Sequence, residues 1–177
     1  MSMRNIRRSR RQGALAFTLA EVVISIAITA VAFSAVILGY IQTTRRAEWT
    51  GYSLAAQSLA IQQLEQARSA VWDPAISKNE ITNLNLIGWS FNTSTRQGKG
   101  YSWANLDLPV QGTNTMRATN FVTVRQIFLN GSSNPPVQVH MVQVDTVWKF
   151  SASRTPRLFT NTVCTYLAPD NRDAGSL

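Results

Sequence analysis

One cysteine and one histidine are all that this 177-residue sequence offers of the commonest nucleophilic and metal-ligating side chains. With Cys164 alone no intramolecular disulfide can form, so cohesion must come from packing. No spacing of Cys, His and acids suits zinc, no Asp/Asn-rich loop suits calcium, and no metal or cofactor is expected. His140 and Cys164 could act as base and nucleophile only if neighbouring strands brought them together, and no third residue can be named to orient them. Both read as structural, Cys164 as a small buried hydrophobe, and no catalytic residue is expected. Gly98-Lys99-Gly100 lacks the longer spacing and following helix of a phosphate loop and reads as turn chemistry.

Acids are scarce too: nine against seventeen Lys and Arg, for a formal charge of +8. That excess is local. Arg4, Arg7, Arg8, Arg10 and Arg11 precede Ala16, and the remainder balances at twelve against nine, an ordinary surface. Five tryptophans and four tyrosines could stack bases, but the charge is too low and scattered along the chain to argue for a nucleic-acid partner. Proline is missing between Phe17 and Pro74, which leaves room for one uninterrupted helix.

What the sequence does have is a long apolar run, GALAFTLAEVVISIAITAVAFSAVILGY, from Gly13 to Tyr40. From Phe17 about 24 residues are almost entirely apolar, enough at ~1.5 Å per residue to cross a ~30 Å hydrocarbon core. The leading arginines place the N-terminus in the cytoplasm and everything after Tyr40 outside. A cleaved secretory signal would need a site such as Ala30-Val31-Ala32, yet the apolar run continues past it and Glu21 interrupts the run before it. An unpaired carboxylate in such a segment costs roughly 2.5 to 3.5 kcal/mol on insertion scales, so Glu21 calls for a partner or a functional reason.

At Phe17-Thr18-Leu19-Ala20-Glu21 the sequence resembles the class III signal of type IV pilins and type II secretion pseudopilins: a basic leader, a small residue, then Phe-Thr-Leu-x-Glu opening a hydrophobic helix. Ala16 stands where that family normally has glycine and keeps the small size. The resemblance covers residues 1 to about 72. It implies removal of residues 1–16 by a prepilin peptidase between Ala16 and Phe17, N-methylation at Phe17, and assembly through Phe17, Thr18, Leu19 and Glu21. Glu21 would then lie near the N-terminal ammonium of a neighbouring subunit, where low dielectric strengthens their attraction. Implied partners are the peptidase, other pilin or pseudopilin subunits and an inner-membrane assembly platform, with the C-terminal domain periplasmic.

Beyond the membrane segment, 17–40, the helical spacing continues over 41–72. Trp49, Tyr52, Ala56, Leu59, Ala60, Leu64, Ala67 and Val71 form one stripe, with Gln63 an exception, and Arg45, Glu48, Gln57, Gln62, Glu65 and Arg68 lie opposite. Pro74 after Asp73 predicts the stop, and such a helix would be roughly 80 Å long. Residues 73–120 read as an irregular but packed connector, open to short strands and anchored by Trp89, Phe91, Tyr101 and Trp103. From Phe121 the period becomes two, so 121–129, 137–150 and 158–167 read as an antiparallel meander, 121–167, followed by a tail, 168–177. Val142, Val144 and Trp148 share a face with His140 on the middle strand, offering the stripe a surface to pack on.

The expected fold class is therefore α+β, pilin-like, a long N-terminal helix packed on a small antiparallel sheet. The valine-alternating strand with a late Trp, followed by TNTVCTYLAPD, is more loosely similar to the PilV-like and I-type minor subunits, and the acidic calcium loop of major pseudopilins is not evident. A minor pilin or pseudopilin without catalysis is the expectation. The alternatives are an uncleaved single-pass receptor or adhesin and, more remotely, a membrane-anchored enzyme using His140.

Overall fold

The computed structural model describes residues 18–74, 77–106, 116–129, 137–150 and 157–169. The structure falls into two compact units that divide after Thr44. Helix α1 runs Leu19–Arg68, and in the first unit its described part is a single apolar helix in which every residue is exposed.

The second unit holds the rest of α1 and seven strands: β1 Trp72–Asp73, β2 Lys78–Asn79, β3 Ile87–Asn92, β4 Gln97–Asn105, β5 Arg117–Leu129, β6 Val137–Phe150 and β7 Arg157–Leu167. A short 3₁₀ turn, Glu80–Asn83, lies between β2 and β3. Strands β1 and β2 form a small antiparallel pair, and β3 to β7 form one antiparallel sheet in chain order. The expected meander is present as β5 to β7, with β5 beginning at Arg117.

Within 73–120 the short strands left open by the sequence are present, and they correct the irregular reading, because β3 and β4 widen the sheet to five strands. Their sequence hides this, since Gly98 and Gly100 look like turn residues but lie within β4. The Trp89 indole of β3 lies across them: a Cβ at Gly98 would be 2.7 Å from Trp89 Cη2, and one at Gly100 2.9 Å from Trp89 Cε3. Only glycine permits that approach. The indole N–H donates to the Thr82 carbonyl at 2.9 Å, which fixes the ring in place. The actual turn comes before β4, where Asn92 Oδ1 accepts from the N–H groups of Ser94 and Thr95 at 2.9 and 3.1 Å.

Residues 45–68 of α1 pack on one face of the sheet. Ala56, Ala60, Leu64 and Ala67 are buried, as the stripe predicts, against Val122, Val124, Val142, Val144 and Trp148. Trp148 lies among Tyr52, Trp49 and Phe159, and its indole N–H donates to Asn161 Oδ1 at 2.7 Å; the Asn161 amide in turn donates to Ser53. Gln63, the exception in the stripe, accepts a 2.7 Å bond from the Ser102 hydroxyl of β4. A polar group in that position is satisfied rather than stranded.

The helix stops at Arg68, before the predicted Pro74. Leaving early lets Val71 and Glu80 close a loop. The Glu80 N–H donates to the Val71 carbonyl at 2.9 Å, and Glu80 Oε2 accepts from the Val71 N–H at 3.0 Å. That backbone donor, followed by the Lys78 ammonium 3.1 Å away, holds the Glu80 carboxyl below its usual range.

Candidate functional site: the start of the apolar helix

The stretch singled out by its chemistry is Ala16 to Glu21. Ala16 and Phe17, the expected cleavage point, lie outside the described residues; Thr18, Leu19 and Glu21 are described. Thr18 stands immediately before α1 and Glu21 is its third residue. The Glu21 N–H donates to Thr18 Oγ1 at 3.3 Å, while Glu21 Oε2 accepts from the Thr18 N–H at 2.8 Å and from its hydroxyl at 3.0 Å. These reciprocal bonds form a capping box, with a carboxylate at the helix end that favours negative charge.

The carboxylate that calls for a partner thus has one in its own first turn. The Thr-x-x-Glu spacing of such a box is plain in the sequence, where the cost of a buried carboxylate points instead to an external partner. Both bonds that Glu21 accepts use Oε2, and among the described residues Oε1 takes none. A single oxygen thus closes the helix.

After the cap, α1 satisfies its polar groups internally while exposing its apolar ones. Thr29, Ser34, Thr43 and Thr44 each donate their hydroxyl to the carbonyl four residues earlier, at 2.7 to 3.0 Å. Such back-bonding hides hydroxyls from a medium that cannot hydrogen-bond. Leu19 is 83% exposed and Phe33 65%, and the intervening valines and isoleucines are likewise open. This helix is long and apolar enough to cross a membrane. As geometry, the site can anchor the chain in lipid and present a charged, capped end to another molecule.

The structure does not bring His140 and Cys164 together. His140 pairs with Leu167 and Cys164 with Gln143, and the two side chains project from opposite faces of the sheet. Cys164 is exposed, which corrects its reading as a buried hydrophobe: alternation on β7 turns Val163 inward and Cys164 outward. His140 is fully buried, edge-on to the Trp72 ring with centroids 4.2 Å apart. Neither ring nitrogen has a hydrogen-bond partner among the described residues, and burial pushes the imidazole down to about 4. No cluster of three His, Cys, Asp or Glu that could hold a metal occurs among the described residues. Compared with known proteins, the chain matches no family model, no curated protein and no solved structure.

Proposed function

We propose that this chain is a minor pilin or pseudopilin subunit. It is held in the inner membrane with its N-terminus cytoplasmic and its C-terminal domain periplasmic, cut between Ala16 and Phe17 by a prepilin peptidase, and N-methylated at Phe17. Other pilin or pseudopilin subunits then take it up, on an inner-membrane assembly platform, into a type IV pilus or a type II secretion pseudopilus. The observation that carries this reading is the exposed apolar helix opened by a capped glutamate and preceded in sequence by a basic leader. Packing of such helices against one another, with Glu21 Oε1 meeting a neighbour's terminal ammonium, drives assembly; Oε2 keeps the cap.

The capping box favours a second reading, because it accounts for Glu21 without any neighbour. On that reading the chain is an uncleaved single-pass receptor or adhesin with an external β-rich domain. Mass spectrometry of the mature N-terminus, from cells that contain a prepilin peptidase, separates the two. A chain beginning at N-methylated Phe17 is expected, whereas one that retains its arginines hands the lead to the receptor. Glu21→Gln then tests the charge pair, since glutamine can serve at this capping position but carries no charge. Filament incorporation should fall as far in Glu21→Gln as in Glu21→Val; normal incorporation of Glu21→Gln would leave the cap as the residue's whole role.

A further inference from the structure

The sheet has one face under residues 45–68 of α1 and another on which several large side chains of β4 and β5 are exposed, although Val139 of β6 on the same face is buried. Strand alternation places Lys99, Tyr101 and Trp103 of β4 and Arg117, Phe121 and Arg125 of β5 on this open face. Tyr101, Trp103 and Phe121 are 40%, 51% and 46% exposed. Tyr101 stands directly opposite Phe121, with ring centroids 6.3 Å apart. The Arg117 guanidinium lies over the Trp103 ring, 4.1 Å from its centroid. Lys99 and Arg125 are diagonal neighbours at the other end of the aromatic group. Among the described residues the one acid on this face is Asp145, whose oxygens already accept from Gln143 and Thr162.

We propose that this face binds single-stranded nucleic acid, with bases stacking on Tyr101, Trp103 and Phe121 and phosphates meeting Lys99, Arg117 and Arg125. Three exposed rings give a stacking platform that any base can use, and the guanidinium plane over Trp103 extends it. Cations at both ends, three against the single carboxylate of Asp145 among the described residues of this face, fit a ligand that is anionic along its length. Tyr101 and Trp103, two residues apart on β4, are about 6.8 Å apart along the strand, twice the ~3.4 Å rise per nucleotide of a duplex strand. Consecutive bases reach both rings only when unstacked, and in a duplex their faces are covered. An acidic peptide would use the cations but not three rings. In the sequence these residues are scattered and the charge is unremarkable; strand register gathers them. The inference does not depend on how the N-terminus is processed.

The test uses the full chain in nanodiscs of zwitterionic phosphatidylcholine and a fluorescein-labelled oligothymidylate of about 12 nucleotides, within the site sizes of such platforms. The leader arginines are present in every variant, so the differences between variants are read. Anisotropy titrations should show Trp103→Ala and Tyr101→Ala each weakening binding about tenfold. Trp103→Phe should keep most of the affinity, and Arg125→Gln should lower the slope of log affinity against log salt by about 0.7. Oligodeoxyuridylate and oligouridylate of equal length, which differ only at the 2′-hydroxyl, show which sugar is preferred, and tight binding of either strand supports the site. Near-ultraviolet circular dichroism matching the parent shows that each half-exposed substitution leaves the fold intact. Heparin or duplex binding as tight as the single strand, or an affinity indifferent to Trp103→Ala, overturns the proposal.

Discussion

Two stretches of one helix invert the usual relation between hydrophobicity and burial. From Leu19 to Thr44 the helix is almost entirely apolar and buries none of its residues. From Arg45 to Arg68 the residues it buries are Ala56, Ala60, Leu64 and Ala67, three of them alanines. Small side chains let the helix axis approach a sheet whose inner face is lined by valines and tryptophan, while large ones would hold it off. The comparison shows that burial within this chain follows the availability of a partner surface. The apolar run that meets no partner surface among the described residues is long enough to cross a membrane.

The largest test of this contrast deletes an aromatic ring from each stretch's environment. Trp148→Ala, which empties the centre of the aromatic group under residues 49 and 52, should cost about 4 kcal/mol in urea denaturation of the full chain. Phe33→Ala, from the exposed stretch, should move the same transition by no more than about 0.5 kcal/mol. A comparable loss from Phe33→Ala would break the distinction.

Acid should act on the sheet unit through His140. His140 is neutral when folded because burial depresses its imidazole to about 4, whereas the unfolded chain takes up the proton near 6.5. The unfolded state therefore binds more protons between those values, and stability falls as pH drops through that window, by about 3 kcal/mol in all. Above pH 7 this contribution is complete and flat. His140→Leu should remove that part of the slope when denaturation midpoints are compared at pH 7 and pH 4.5.

Gly98→Ala should cost about 2 kcal/mol, because its Cβ meets the Trp89 ring at 2.7 Å and the indole has no freedom to leave its bond to Thr82. Gly39→Ala, where an added Cβ meets nothing within 4 Å, should instead slow amide exchange around residue 39 by stabilising the helix about 1 kcal/mol or less. The same substitution thus takes opposite signs in the two regions.

The strands from Phe121 onward and the buried helical stripe are legible in the sequence because each element there buries a face of its own. Alternation and the 3.6 spacing report that burial directly. What escapes is structure supplied by a neighbour. Gly98 and Gly100 read as a turn because the Trp89 ring that forbids side chains there comes from another strand. Cys164 reads as buried by residue type, yet its position on β7 decides otherwise. The end of the helix is misplaced because Pro74 marks where a helix cannot continue, while the Val71–Glu80 bonds and the burial of Trp72 against His140 determine where this one ends. At the candidate site the residue types are legible and the capping bonds were readable from spacing alone.

The sheet order from β3 to β7 is also the order of the chain, and this sets a timetable for folding. A polypeptide emerging N-terminus first never has to hold a strand unpaired while waiting for one several elements later, because each new strand finds its neighbour already made. Low contact order of this kind shortens the interval in which apolar edges lie open to other chains. Strand β7 is the last of the sheet to arrive and brings Asn161, which joins the Trp148 indole to Ser53 on the helix and adds a tie between helix and sheet to those already made through β4 and β5.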